Sequence, residues 1–318
     1  MKSLDVIALG ELLMDFTTVG QSQQGNDLFE ACPGGAPCNV LAILNKLGDK
    51  TSFIGKVGPD QFGVLLRHLL GEIGIGTTHL VTDPTVNTTL AFVHTGPNGE
   101  RDFSFYRNPG ADMLLSTDDI DPAFIQTSRA FHFGSLSMTH EGVRAATKKA
   151  VQAAKDGGLL ISFDPNLRKP LWQDLSTAAE QMRYGLSVCD MAKIADNEVE
   201  FLTGKTDLDA GVRELIDEYH IPLVFLTMGP NGSTAYFKGE VVRQEGFSVA
   251  SIETTGAGDT FCGTALHFVL EAGLDNLDTE KLQDILTFAN AAAAIVTTRK
   301  GAIRAMPNPD EVHSMLHA

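Results

Sequence analysis

The chain has 318 residues, and its 40 Asp and Glu against 24 Lys and Arg give a formal net charge of −16. Such a balance excludes a nucleic-acid sleeve or a docking surface for anionic lipid, since both need a dominant basic field. It leaves a small anionic ligand, held by a few local groups, within reach. With 43% hydrophobic and 20% charged residues, the composition is that of an ordinary globular protein. The apolar run at 6–9 is broken by Gly10 and Glu11, so no signal peptide is read, and no stretch approaches the roughly 18 apolar residues of a membrane helix. Cys32, Cys38, Cys189 and Cys262 show neither a paired framework nor C-x-x-C spacing, so a reducing compartment, the cytoplasm, is expected.

Short apolar runs alternate with helical patterns, the signature of β-α units around a largely parallel sheet with helices on both faces. The first buried strand is read at 6–9. Strand-like pieces follow at 12–18 and 27–32, and Pro33-Gly34-Gly35-Ala36-Pro37-Cys38-Asn39 then opens a helix of Val40, Leu41, Ile43, Leu44 and Leu47 that closes at Gly48. A strand at 52–57 leads to a helix capped by Asp60, with Phe62, Leu65, Leu66, Leu69 and Ile73 at i, i+3, i+4 spacing and Gly74 as its stop. Runs 89–95 and 101–106 flank Gly96-Pro97-Asn98-Gly99, and Phe103 and Phe105 alternate with Asp102 and Ser104, which predicts a hairpin with one apolar face. Segments 12–32 and 87–112 together are expected to build a small β layer beside the end of strand one, placed to act as a lid. Further strands are read at 130–134, 159–163, 191–195 and 223–226, with an Ala- and Lys-rich helix from Thr139 to Gly157-Gly158. No linker or repeat divides the chain, so one α/β domain over 1–318 is expected.

The strongest local signal is Thr254-Thr255-Gly256-Ala257-Gly258-Asp259-Thr260, immediately before the helical pattern of Phe261, Ala265, Leu266, Phe268 and Val269. Glycines at a helix start let backbone N–H groups approach an anion, and the helix dipole adds positive potential. Asp259, in the first turn, either takes a proton from a hydroxyl beside that cradle or merely complements the dipole. Residues 34–39 offer a similar choice: close backbone approach to a ligand, with Asn39 as donor and acceptor, or a tight turn and helix cap. Asp15 is likewise either a hydroxyl ligand or a solvated acid. Two nucleotide signatures fail, because Phe261 stands where G-x-G-x-x-G needs its third Gly and Val199 where a Walker A loop ending Gly204-Lys205-Thr206 needs its first. Any ATP must be held without a P-loop.

Several concordant blocks carry more weight than any one of them. The chain resembles the ribokinase-like (PfkB) family of carbohydrate kinases over essentially its whole length. Gly34-Gly35-Ala36-Pro37-Cys38-Asn39 through Gly55, Gly58 and Gly63 is similar to that family's N-terminal signature, and Thr254-Thr255-Gly256-Ala257-Gly258-Asp259 to its C-terminal one. Asp164-Pro165-Asn166-Leu167-Arg168, Asn197-Glu198-Val199-Glu200 and Thr227-Met228-Gly229-Pro230-Asn231-Gly232 are further matches. The resemblance implies a ribokinase-like α/β fold with a central, mostly parallel sheet and a small β-sheet lid. It also implies roles: Asp259 as the base, Gly256, Ala257 and Gly258 as the anion hole, and Arg168 steadying the transferred phosphate. Asp15, Gly34, Gly35 and Asn39 would hold the sugar. Arg107, in a stretch similar to bacterial fructokinases, would reach a sugar oxygen when the lid closes. Asn197, Thr227, Gly229, Gly232 and Asn290 would serve the nucleotide, and Glu200 would organise Mg²⁺ through water.

The activity implied is that of an ATP- and Mg²⁺-dependent sugar kinase, a fructokinase acting on the 6-hydroxyl of fructose. A 2-keto-3-deoxygluconate kinase or another sugar kinase of the family is the alternative, because Arg107 could also pair with a substrate carboxylate. An inactive sugar-binding regulatory protein on the same scaffold is the non-enzymatic alternative. Glu253 departs from the family pattern, which has an Asp there that helps bind a monovalent cation. Glu is one methylene longer, and although carbonyls around Val296, Arg299 and Gly301 remain as donors, Ala305 has no side-chain oxygen, so K⁺ is implied less firmly than Mg²⁺. Dimers are common in the family, and the edge of the lid hairpin is where a homodimer would pair.

Overall fold

In β1 (Leu4–Leu9), Val6 and Ala8 pack into one apolar layer while Ile7 and Leu9 pack into the other. A strand buried on both faces needs helices above and below it, and the remaining elements supply them. The computed structural model describes residues 2–95 and 101–317. The turn expected at Gly96-Pro97-Asn98-Gly99 lies outside the described residues. In chain order the other strands are β2 (Leu13–Gln21), β3 (Asp27–Gly34), β4 (Thr51–Val57), β5 (Gly76–Thr82), β6 (Leu90–Thr95), β7 (Arg101–Tyr106), β8 (Ser128–Gly134), β9 (Leu160–Asp164), β10 (Met191–Ala195), β11 (Leu223–Thr227), β12 (Ser233–Phe237) and β13 (Glu240–Gln244). The helices are α1 (Ala36–Lys46), α2 (Gln61–Glu72), α3 (Pro122–Ile125), α4 (Glu141–Asp156), α5 (Leu175–Val188), α6 (Asp196–Thr203), α7 (Leu208–Tyr219), α8 (Ala257–Ala272), α9 (Thr279–Thr297) and α10 (Pro309–Leu316).

Nine strands form the large sheet in the order β13-β12-β11-β10-β9-β8-β1-β4-β5, and β12 runs against its neighbours while the ladders from β11 to β5 are parallel. Helices α1, α2, α8 and α9 bury their apolar stripes on one face, and α3 to α7 on the other. The chain leaves β1 toward β4 and β5 on one side and toward β8 to β11 on the other. At such a reversal the connections diverge, and the carboxyl ends of the strands border a crevice. Helices α1 and α8 lie side by side because Gly263 has no side chain: a Cβ there would stand 2.4 Å from Ile43 Cγ2 and 2.8 Å from the Val40 carbonyl oxygen. That close approach brings the first turns of the two helices together at the crevice.

The second sheet has the order β3-β2-β6-β7, with β2 parallel to β6 and the other pairs antiparallel. Phe16 and Phe92 stack at 4.8 Å on one face, and Phe16 meets Phe62 of α2 edge-on at 5.6 Å, which couples this sheet to the helical layer. Its other face carries Asp15, Thr17 and Cys32.

Three expectations about elements change. Strands β5, β12 and β13 were not read, because β5 buries only Leu80 and β13 only Val242, so neither edge-region strand shows an apolar run, and β12 mixes Ser233 and Thr234 with its apolar residues. Helix α4 starts at Glu141 after a 3₁₀ turn at Leu136–Met138, two residues later than Thr139. Leu65 is 46% exposed, so the inward stripe of α2 is Leu66, Leu69 and Leu70.

The far half of α8 is tied to the α1–β4 loop by His267, whose Nδ1 lies 2.8 Å from Asp49 Oδ2. Burial alone would lower the imidazolium pKa, but the hydrogen bond and charge of Asp49, helped by Glu271, hold it above its ordinary value. A group raised in the folded state adds stability below its unfolded-state value and loses it as pH rises through the folded value. Asp49→Asn is therefore expected to destabilise the protein below about pH 6 and to cost much less toward alkaline pH, as urea unfolding at the two pH values will read.

Candidate active site

The carboxyl ends of β1, β9, β10 and β11 and the first turns of α1 and α8 border a cleft of about 530 Å³, whose opposite wall is the small sheet through Asp15, Thr17, Cys32, Val93 and Phe105. Asp259 is the third residue of α8 and is buried, and its Oδ2 accepts a hydrogen bond from Asn39 Nδ2 at 2.7 Å. Burial pushes the Asp259 carboxyl up to about 6. The Asp164 carboxylate adds to the rise, and the Asn39 hydrogen bond with the charges of Lys193 and Arg168 opposes it. Such a group is ionised at neutral pH yet basic enough to take a proton from a hydroxyl.

Gly256, with φ 82°, turns the chain into α8, and the Ala257 N–H already donates to the Thr254 carbonyl at 3.3 Å. Helix geometry leaves Gly258 and Asp259 as first-turn donors with no i−4 carbonyl inside the helix. Gly256 and Gly258 border the cleft and Ala257 does not, so the expected anion hole narrows at its middle residue.

On the other side of the cleft, Gly35 precedes α1 with φ 127°, and a Cβ there would stand 2.3 Å from the Glu11 carbonyl oxygen, so glycine is required twice over. The next N–H, that of Ala36, donates to the buried Glu11 Oε1 at 2.8 Å. Burial pushes Glu11 up to about 7, and Asp15, raised first by burial and then by Glu253, also to about 7. Gly34 pairs with Leu13 beside the Asp15 carboxylate and lies off the cleft wall, whereas Gly35, Asn39 and Asp15 are on it.

Asn197, Thr227 and Gly229 line the cleft together with the exposed Arg168. Three residues expected beside them are elsewhere. Gly232 faces the Gln244 backbone across a tight turn. Asn290, on α9, accepts from Ser233 Oγ at 3.1 Å and donates to the Gln244 carbonyl at 3.5 Å, so its amide bridges the start of β12 and the end of β13. Glu200 is exposed one helical turn beyond Asn197 and off the cleft wall. Glu253 is buried, with Oε2 accepting from the Gly301 N–H at 3.1 Å and Oε1 from Thr255 Oγ1 at 2.7 Å.

Arg107 departs most from expectation. Its guanidinium is buried away from the cleft wall, donating to Asp112 from Nε at 2.8 Å and from Nη2 at 2.7 Å, to Thr139 Oγ1 at 3.0 Å and to the Leu136 carbonyl at 3.2 Å. Asp112 also accepts from Thr89 Oγ1 at 2.5 Å. Thr89 precedes β6 and Arg107 follows β7, so one carboxylate holds both feet of the hairpin to the large sheet's layer.

Four residues that build the site receive no role of their own from the sequence, although Asp164 and Glu198 lie in matched blocks. Glu11 holds the start of α1. Glu198 accepts from the Leu167 and Ala195 N–H groups, each at 2.8 Å, and so anchors the loop bearing Arg168 to the start of α6. Lys193 and Asp164 form a buried ion pair at 3.2 Å. A charged residue inside or directly after an apolar run, as at Glu11 and Lys193, was the available signal.

Sheet order, small sheet and cleft together define a ribokinase-like kinase fold. A family model described as pfkB family carbohydrate kinase matches residues 3–309, and the chain belongs to that family. The fructokinase of Xylella fastidiosa, solved with bound ATP, is similar at a TM-score of 0.89 and 32% identity, covering 98% of each chain. The fructokinase of Vibrio cholerae O395, in a fructose, ADP and calcium ion bound form, gives 0.88 and 30%, covering 99% of each. A curated relative named probable fructokinase-2, from Arabidopsis thaliana, is 40% identical over 313 residues, 98% of this chain and 95% of that protein.

Two variants check this geometry. Gly35→Ala is expected to lose about 2 kcal/mol or more of stability from strain and overlap. Arg107→Met, which strands the buried Asp112 charge, is expected to cost about 3–5 kcal/mol in urea unfolding, whereas an arginine serving only the sugar would leave stability intact and raise KM alone.

Proposed function

We propose that the protein is an ATP-dependent fructokinase that transfers the γ-phosphoryl group to the primary 6-hydroxyl of fructose, with Asp259 as the base. The observation that carries this reading is the buried Asp259 carboxylate in the first turn of α8, held by Asn39 on the wall of a cleft that it shares with the glycine turn. The hydroxyl oxygen bonds to the γ-phosphorus as the bond to the leaving ADP oxygen breaks, and the hydroxyl proton passes to Asp259. Charge on the phosphoryl oxygens is received by the N–H groups at the positive end of α8 and by Arg168. Asp15, Gly35 and Asn39 serve the sugar, and Asn39 Oδ1, which lacks a hydrogen-bond partner among the described residues, is an acceptor for one of its hydroxyls. The small sheet acts as the lid that keeps water from the phosphoryl group.

Thr227, Gly229 and Asn197 serve the nucleotide. Bound Mg²⁺ would neutralise phosphate charge, and Asn197 and Glu200 offer it hard oxygen donors three residues apart on α6, where exposure suits contact through water. Potassium is expected to be dispensable, because the Glu253 carboxylate itself links the 253–255 segment to Gly301. The names of the relatives favour fructose over 2-keto-3-deoxygluconate or another sugar. Arg107, bound to Asp112, is not placed to meet a substrate carboxylate. The non-enzymatic alternative gains no support from a site that keeps Asp259 and its glycines. A homodimer and a cytoplasmic location belong to the same reading, the former drawing on Phe29 and Tyr106, 40% and 66% exposed on the aromatic face of the small sheet.

ADP release over fructose, 2-keto-3-deoxygluconate, ribose and adenosine tests the proposal, with fructose expected to give the highest kcat/KM. Asp259→Asn is expected to lower kcat by about 10²- to 10⁴-fold with little change in KM. Unchanged turnover would remove Asp259 as the base, and absence of turnover with every sugar would favour the binding protein. Replacing K⁺ by tetramethylammonium is expected to leave turnover unaltered, and a steep loss would show that Glu253 does not substitute for a cation.

A further inference from the structure

Lys193 stands in the middle of β10, a strand otherwise made of Met191, Ala192, Ile194 and Ala195, and is only 6% exposed. Its Nζ lies 3.2 Å from Asp164 Oδ2 and 3.3 Å from Oδ1, at the carboxyl end of the neighbouring β9. The same Nζ is 2.9 Å from where a Cβ on Gly258 would stand, so the ammonium sits directly against the residue that precedes Asp259, and it borders the cleft. A buried ion pair is no more stabilising than a well-packed apolar pair of similar size. Its position under the first turn of α8 therefore asks for another account.

We propose that Lys193, held by Asp164, is a positioning residue for phosphoryl transfer: its ammonium keeps the Asp259 carboxylate ionised and ready for the hydroxyl proton, while Asp164 pulls in the opposite sense. The inference rests on the reading of Asp259 as the base. The groups that face Asp259 are Asn39 on α1, Asp164 at the end of β9, Lys193 on β10 and Arg168 on the loop beyond β9, with Cys262 one turn along α8 and Glu198 on α6 facing Lys193. Burial is the largest influence raising the Asp259 carboxyl, Asp164 adds to it, and Asn39, Lys193 and Arg168 oppose it. Burial would also strip the proton from Lys193, but the carboxylates of Asp164 and Glu198 outweigh it, so the ammonium stays charged. Removing the cation must then raise the proton affinity of Asp259, and removing the Asp164 anion must lower it.

The test is the pH dependence of kcat/KM, with the sugar of highest turnover, for the wild type, Lys193→Met, Lys193→Arg, Asp164→Asn and the Lys193→Met/Asp164→Asn pair. Activity of the wild type should fall on the acid side near the value of about 6 reached by Asp259. Lys193→Met is expected to move that limb to higher pH by about one unit or more, Lys193→Arg to restore it, Asp164→Asn to move it lower, and the double variant to lie between the singles. A merely structural Lys193 would lower kcat/KM at every pH with the limb unmoved, and that result overturns the proposal. Should Lys193→Met fail to fold, because it strands Asp164, the Asp164→Asn profile decides: an unmoved limb there also overturns it. Asp259→Asn measured in parallel separates the two readings. Turnover retained in that variant removes the base itself, whereas its loss together with coincident limbs in the other variants removes only the role of Lys193.

Discussion

The amide of Asn39 and the carboxylate of Asp259 meet at 2.7 Å across 220 residues of chain, and the geometry of the cleft depends on that meeting. Each belongs to the first turn of its helix, so the bond fixes the N-termini of α1 and α8 against one another. Gly263 makes it reachable, because any side chain there would drive α8 away from Val40 and Ile43 of α1. Below them, β1 separates strands that run on to either side, and this opens the crevice into which both helix starts point. Two helix N-termini facing one space place positive potential there without a basic side chain. In a chain of net charge −16, that is how a polyanionic nucleotide can be accommodated.

Elements buried on both faces were legible in the sequence. The runs at 6–9, 130–134 and 191–195 lie within strands β1, β8 and β10, because a strand covered by helices on both sides is apolar at most of its positions. The glycine turns at 34–35 and 256–258 were legible too, since backbone that turns sharply beside another chain segment restricts composition at every position. Edge-region strands such as β5 and β13 were not, because one exposed side removes the apolar run by which a strand is read.

Side-chain partners were less legible than elements. Arg107 follows a strand at the mouth of the cleft, and nothing local distinguishes an arginine that points inward from one that pairs with Asp112 behind the hairpin. Its buried pair reads from the fold alone, because Asp112 comes from one turn and Leu136 and Thr139 from another. Asn290 is similar: its helix is periodic and apolar, but its partners, Ser233 and Gln244, lie on β12 and β13. Lys193 is the reverse case. A lysine between Ala192 and Ile194 breaks an apolar run, and a charge inside a strand that is otherwise apolar is legible in the amino-acid sequence itself.

Seven acids surround the cleft: Glu11, Asp15, Asp164, Asp196, Glu198, Glu253 and Asp259. At first sight they oppose the binding of phosphate. Most of them have other work. Glu11 accepts from Ala36, Glu198 from Leu167 and Ala195, Glu253 from Gly301, and Asp164 holds Lys193. Carboxylates used in this way hold backbone N–H groups in place and stiffen the loops between strands and helices, and burial brings Glu11 and Asp15 to about 7, so near neutrality part of their charge is gone. Asp259 is left with one hydrogen bond from a neutral amide and a value of about 6. It stands in the first turn of α8, and its one hydrogen bond leaves the carboxylate unoccupied by backbone. The same desolvation that weakens the repulsion of Glu11 and Asp15 toward phosphate leaves Asp259 basic enough to take a proton, and the difference between them lies in what each carboxylate is given to hold.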